Sequence, residues 1–272
     1  MQKKSLEICC YVSSAGAFGV FLRWLQTQLA FDDAGLAEKS VFHFLVPLFI
    51  LACAVVFLRF VDRARNDRYY LPDDFCGALE NKGRLFAIVR VAAGALVAIG
   101  ALLLLAECET DKDALFLRIL AVLGFLSGLS FPLVLSAANR PSARPRGLCL
   151  FSALPILLFA FWLITCYKMN DINSVVWQYA IEIVTVIAAM EAFFRIAGFA
   201  FGSPNAWRSL FFSMFGAMLC VMSLADSRYM GMQLMLLGSA IMLILCTWIM
   251  IKNLQQRKPQ PKVSPDDGFE RR

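Results

Sequence analysis

Histidine occurs once in the chain, at position 43. One imidazole cannot supply both axial ligands of a bis-histidine haem, nor the nitrogen set of an ordinary zinc centre. No lysine lies inside a long apolar run, so a retinal-type Schiff base would have no anchor. Walker A and GxGxxG spacings are missing, which removes the usual phosphate-cradling loops. Charge is scarce as well, at 17% of residues, against about a quarter in a soluble domain. Nine cysteines are present without a CxxC pair, and Cys9, Cys10, Cys53, Cys149, Cys220 and Cys246 fall within apolar runs. Cysteine in such places acts as a small apolar packer. Cys108 and Cys166 fall near one face, where a bridge between them stays open. No cofactor or metal site is expected.

What the chain has instead is apolar length. Of its 272 residues 60% are hydrophobic, and the mean hydropathy is +0.66. The excess lies in blocks of about twenty residues, the length that spans roughly 30 Å of hydrocarbon. The expected fold is all-α: a polytopic helical membrane protein, a bundle of eight transmembrane helices. The spans are expected near 8–30, 41–61, 85–106, 114–136, 147–167, 173–199, 207–225 and 231–251. Residues 1–251 form the transmembrane domain, and 252–272 a basic tail expected to be disordered. The first span, led by Lys3 and Lys4, has no small-residue cleavage site after it and is expected to stay as an anchor. Ser13, Ser14, Gly16 and Gly19 give it a small-residue side, and Gly124 and Gly128 form a GxxxG spacing in the fourth span, both suited to close helix approach.

Basic residues set the expected orientation. With both termini on one side, 17 of the 26 lysines and arginines fall on that side and 4 on the other, the remaining five lying within spans. Positive charge collects on the cytoplasmic side, so both termini, loop 62–84 and loop 137–146 are expected to be cytoplasmic. The same loops and the tail should lie near anionic headgroups. The basic balance is therefore a matter of topology, and no nucleic-acid partner is expected.

The segment Trp177–Arg195 carries charge where apolar length predicts membrane depth. A charge there costs roughly 2.5–3.5 kcal/mol on insertion scales, and such residues are commonly functional. Glu182 and Glu191 are nine residues apart, which is about half a revolution and on the order of 13 Å along a helix axis. They leave opposite sides, so this helix is expected to be enclosed by others. Glu191 and Arg195 stand at i and i+4, the favourable order for a pair, with Arg90 in the same half of the bilayer. The candidate intramembrane polar site is Glu191, Arg195, Arg90 and Glu182, with Glu191 the preferred working residue. Glu182 has Arg23 and Arg118 in its own half as possible clamps. Arg23, Arg59 and Arg118 stand where arginines snorkel to headgroups, and His43 is expected to be interfacial.

The fragment Met190-Glu191-Ala192-Phe193-Phe194-Arg195 departs from the EExxxR element of CAAX-type intramembrane proteases at its first glutamate. The histidine motifs of that family cannot be formed with one histidine, so the family is excluded. Met214, Met218 and Met222 recur once per turn, a spacing that could pass Cu(I) but that also fills gaps between helices; packing is the expectation. No nucleophile, base and acid converge, so no enzyme is expected. Two functions stand: a small-solute or ion transporter or permease subunit, favoured by buried charge and by helices interrupted with glycine and proline, and a non-catalytic membrane subunit or scaffold that assembles with other membrane proteins. The expected location is the plasma membrane, with the lipid bilayer as the constant partner.

Overall fold

The computed structural model describes residues 2–31, 40–67, 69–108, 114–139, 147–170 and 175–256. Among them, eight helices are long and apolar enough to cross a membrane. They are α1 (Gln2–Leu29), α2 (Phe42–Asn66), α4 (Arg84–Glu107), α5 (Ala114–Ala137), α6 (Leu148–Met169), α7 (Val176–Ala200), α8 (Ala206–Met222) and α9 (Met230–Lys252), with a five-residue helix α3 (Phe75–Leu79) after α2. The all-α fold and the eight spans agree with the apolar blocks of the sequence. An even number of crossings leaves both ends of the bundle on one face.

The helix ends depart from the hydropathy pattern where polar residues continue a helix past the apolar run. α2 reaches Asn66 with Arg63 and Arg65 in its last turn, where basic side chains meet the negative end of the helix dipole. The expected loop 62–84 therefore begins as helix. Its Asp74 caps α3, with Oδ2 accepting Gly77 N–H at 3.4 Å. The loop is then tied down by Asn81, 2% exposed. Asn81 Nδ2 donates to the Leu79 and Leu135 carbonyls at 2.8 and 2.9 Å, and its Oδ1 accepts from Arg90 Nη1 at 2.9 Å. Asn253 Nδ2 holds the same loop through the Ala78 and Glu80 carbonyls. Tyr69–Tyr70 and Gln255–Gln256 form a two-residue antiparallel pair, so the first residues of the expected tail are attached to this loop. Loop residues 140–146 and tail residues 257–272 lie outside the described residues.

Six helices close a ring in chain order: α4 packs on α5, α5 on α6, α6 on α7, α7 on α8, α8 on α9, and α9 returns to α4. α1 docks on α8 and α9, and α2 lies at the edge against α1 and α8. Glycine sets the tightest of these contacts. A Cβ on Gly94 would meet the Gly128 carbonyl oxygen at 2.4 Å, and one on Gly231 would meet the Gly100 oxygen at 2.5 Å. Backbones this close exclude any side chain, which is what small-residue interfaces accomplish in lipid. Gly128 of the GxxxG spacing thus packs on α4, while Gly124 lies against Met235 of α9. Gly16 and Gly19 face Val221 and Met222 of α8, whereas Ser13 and Ser14 are exposed.

The core is continuous. Phe131, Phe193, Phe159 and Trp162 stack in series, with centroids 5.3, 5.6 and 5.9 Å apart. Met214, Met218 and Met222 are all fully buried within that core, in keeping with packing. The most enclosed span is α9, with 72% of its window buried, against 50% for α7. α7 is thus less enclosed than its charges suggest. Val184, Ile187 and Phe194 remain exposed along it; Glu191 pairs within the helix, and Glu182 with groups on α6 and on the α8–α9 connection.

Candidate functional site

At the face opposite the termini, α1, α4, α6 and α8 end and α7 and α9 begin. Arg23, near the end of α1, is 1% exposed and is among the largest fully buried side chains. A guanidinium cannot be buried without acceptors, and three different elements supply them. Its Nε donates to Asp226 Oδ1 at 2.6 Å, Nη1 to Gln26 Oε1 at 2.7 Å, and Nη2 to the Gln178 carbonyl at 2.6 Å. Asp226 follows the three-residue 3-10 turn Ser223–Ala225 that closes α8. The turn directs the carboxylate inward between two guanidiniums, for Asp226 Oδ2 also accepts from Arg228 Nη2 at 2.7 Å and from Ser223 Oγ at 3.2 Å.

Arg228 extends the network to α7. Its Nη1 donates to the Ser223 carbonyl at 3.1 Å, and its Nε lies 3.2 Å from Glu182 Oε2. That N–H does not aim at an acceptor, so the contact with Glu182 is one of charge rather than an aligned hydrogen bond. Glu182 Oε1 accepts from the indole Nε1 of Trp162 at 2.9 Å, which joins the aromatic stack to the charged cluster. Two guanidiniums and two carboxylates thus balance in sequence: Arg23, Asp226, Arg228, Glu182. Balanced, hydrogen-bonded charge is the form in which ions are tolerated away from water.

The network also runs toward α2. Gln26 spends its Oε1 on Arg23, so its Nε2 faces His43 Nδ1 at 3.3 Å; His43 Nε2 stands 3.2 Å from the Ala30 carbonyl. An amide nitrogen can only donate and a carbonyl can only accept. In this arrangement His43 Nδ1 accepts from Gln26 and Nε2 donates to the Ala30 carbonyl, and at 8% exposure the ring is buried at the α1–α2 junction.

These groups border a cavity of about 1090 Å³, and its lining includes Arg23, Glu107, Glu182, Asp226 and Arg228. Tyr179, Tyr229, Asn170 and Gln178 contribute to its wall. Glu107, the last residue of α4, lies at the rim and accepts Gly231 N–H through Oε2 at 3.1 Å. It thereby caps the first turn of α9, where the helix dipole favours an anion.

The four sequence candidates fall into three places. Glu182 lines the cavity, although neither Arg23 nor Arg118 is its clamp: Arg228 and Trp162 are, and Arg118 is exposed on α5. Glu191 and Arg195 pair along α7, with Nε to Oε1 at 2.7 Å and each side chain 25% exposed. Arg195 borders a separate apolar crevice of about 360 Å³ between α6 and α7. Arg90 is held by Asn81, with its Nε buried and without a partner. Cys108 and Cys166 are both free thiols. The residues that sequence reasoning passed over are Asp226, Arg228 and Glu107. The available signal was Arg23 itself, a cation within an apolar span that calls for a carboxylate from elsewhere in the chain.

Eight apolar spans joined by a polar network of this kind define a multi-pass integral membrane protein. Comparison of the chain with protein-family models, curated proteins and solved structures finds no match.

Proposed function

We propose that the chain is a small-solute or ion transporter, or the permease subunit of one, whose recognition step takes place in the cavity between Arg23, Glu182, Asp226 and Arg228. One observation carries this reading: a cavity of about 1090 Å³ is bordered by three connected ion pairs, Arg23–Asp226, Arg228–Asp226 and Arg228–Glu182. Purely structural neutralisation would need only one acceptor set per arginine and no space beside it. Glu182 is the working carboxylate in preference to Glu191, because Glu191 does not line this cavity. In the orientation proposed from basic residues, both termini are cytoplasmic and the cavity opens outward. The protein then belongs to the plasma membrane, with its basic loops against anionic headgroups. Reconstituted vesicles test the reading. Wild-type protein should exchange an isotope-labelled polar solute or ion across the bilayer, and Glu182→Gln should reduce that flux at least tenfold while the protein stays folded. Equal flux in both, once a solute is found, would remove Glu182 and its cavity from the transport path.

A further inference from the structure

We infer that the solute is a zwitterion of the α-amino-acid class, taken with its carboxylate on Arg228 and its ammonium on Glu182; this rests on the proposed solute site and names what it takes. One junction of the charged chain lacks an aligned hydrogen bond. Arg228 spends Nη1 on the Ser223 carbonyl, and Nη2 on Ser223 Oγ and Asp226 Oδ2. Its Nε is buried without an acceptor, in a side chain 5% exposed. Glu182 Oε2 lies 3.2 Å from that nitrogen but out of line with its N–H, and among the described residues no N–H or O–H donates to this oxygen. Arg23–Asp226 and Arg228–Asp226, by contrast, are hydrogen-bonded at 2.6 and 2.7 Å. Buried polar atoms without partners are few in folded proteins, and each calls for a reason. Among the described residues the others are Arg90 Nε, Ser127 Oγ and Ser213 Oγ, and none of those three residues lines the cavity. Arg228 and Glu182 both do.

Opening this junction costs a charge contact and no aligned hydrogen bond, and Glu182 keeps its bond from Trp162 Nε1 through Oε1. The order of charges then decides what enters. The chain alternates in sign: Arg23, Asp226, Arg228, Glu182. An anion inserted before Glu182 would set two carboxylates side by side, and a cation would set a like charge beside Arg228; both arrangements are repulsive. A molecule with both charges keeps the alternation, its carboxylate accepting from Arg228 Nε and its ammonium donating to Glu182 Oε2. In an α-amino acid the two groups share one carbon, so they fit a gap opened by a rotation of the Glu182 side chain. Each new contact is a charge-assisted hydrogen bond, the stronger kind. An ammonium carries three donors, and Tyr179, Tyr229 and Asn170 bring further acceptor oxygens to the same lining. Met169, Met230 and Met232 add apolar wall for a side chain, and thioethers adapt to irregular shapes.

The experiment uses the full chain in maltoside micelles and isothermal titration with three probes: L-leucine, 4-methylpentanoate, which is leucine without its ammonium, and 3-methylbutylamine, which is leucine without its carboxylate. Leucine should bind at least about tenfold more tightly than either, the effect of one hydrogen bond to a charged group. Glu182→Gln should weaken leucine by a similar factor and bring it level with 4-methylpentanoate, because the ammonium has lost its partner. Glutamine keeps an acceptor for Trp162 Nε1, and the thermal midpoint measured alongside separates lost charge from lost fold. If the variant does not fold, the comparison of probes on wild type decides alone. Equal binding of leucine and either one-charge probe, or an unchanged preference for leucine in folded Glu182→Gln, would overturn the zwitterion assignment. A one-charge probe that binds as well as leucine and is weakened by Glu182→Gln would leave the solute site standing while the zwitterion class fails. Binding of none of the three also overturns the assignment, and vesicle flux of other solutes then decides the transport reading separately.

Discussion

Replacing Asp226 by asparagine isolates the centre of the charged network. Its oxygens stand 2.6 Å from Arg23 Nε and 2.7 Å from Arg228 Nη2, and its side chain is 9% exposed. With charge centres about 4 Å apart and an effective dielectric of about 20, each pair is worth roughly 4 kcal/mol of Coulomb energy. The mutation forfeits both pairs and recovers several kcal/mol of carboxylate desolvation. It also turns an amide NH₂ toward one of the two guanidiniums, and leaves Glu182, beside Arg228, as the remaining carboxylate of the four-charge chain. The expected net loss is about 3–5 kcal/mol, the range for breaking a buried pair by removing one partner. At about 2–4 °C per kcal/mol, the thermal midpoint in detergent should fall on the order of 10 °C. Adding Arg23→Met to Asp226→Asn should cost less than the sum of the two single changes, because both remove the same Arg23–Asp226 pair. A midpoint within about 2 °C of wild type for Asp226→Asn, or strictly additive losses, would refute the claim that this carboxylate holds two buried cations.

The Glu191→Arg, Arg195→Glu exchange should change stability by less than about 1 kcal/mol, since the pair is only partly buried and an i,i+4 pair survives the swap; a fall in midpoint as large as that of Asp226→Asn would show that a third group depends on its polarity. Gly94→Val places a side chain against the Gly128 backbone and should cost about 1–3 kcal/mol by overpacking, whereas Gly202→Asn, at φ +77 with open space around its Cβ position, should be neutral because asparagine tolerates that conformation; thermal unfolding of the two separates packing from backbone effects. His43→Phe leaves Gln26 Nε2 and the Ala30 carbonyl without their ring partner, at about 1–3 kcal/mol for each group that water does not reach, measured as a lower midpoint than a surface control such as Tyr11→Phe. Labelling Ser227→Cys in intact cells with an impermeant maleimide tests the proposed orientation, and protection of that exposed loop site would reverse it.

The spans were legible because each is a block of apolar residues bounded by polar ones, and bilayer thickness fixes the length of such a block. The close contact at Gly128 was legible for a similarly local reason, as the spacing of small residues on one helix face. Its partner was not: Gly94 and Gly128 meet because α4 and α5 are antiparallel neighbours, and nothing in either segment states the register. The Glu191–Arg195 pair was readable since four residues bring both groups to one side of a helix. Preference for it over Glu182 followed from that same locality. An i,i+4 pair is visible in a string of letters, whereas Glu182 depends on Trp162, twenty residues earlier, and Arg228 on another helix junction.

Loop charges were the larger blind spot. Asp226 and Arg228 stand in a seven-residue connection, and charged residues in short connections are ordinarily solvated. Here a 3-10 turn folds the connection back over the helix ends, and the Arg228 side chain is left 5% exposed. Conservation of charge in a low-dielectric region could have led to the same place. Arg23 lies inside a span, so a carboxylate must approach it; Glu182 is at similar depth, so it too needs a cation. Pairing those two with each other would have satisfied the count and left Asp226 and Arg228 in water. The fold interposes them instead, giving Arg23–Asp226–Arg228–Glu182 in place of a single bridge. A single bridge neutralises a helix. An alternating chain of four charges spread over α1, α7 and the α8–α9 connection makes the relative positions of those elements depend on one another, and any solute that engages Glu182 must act on all of them through Arg228 and Asp226.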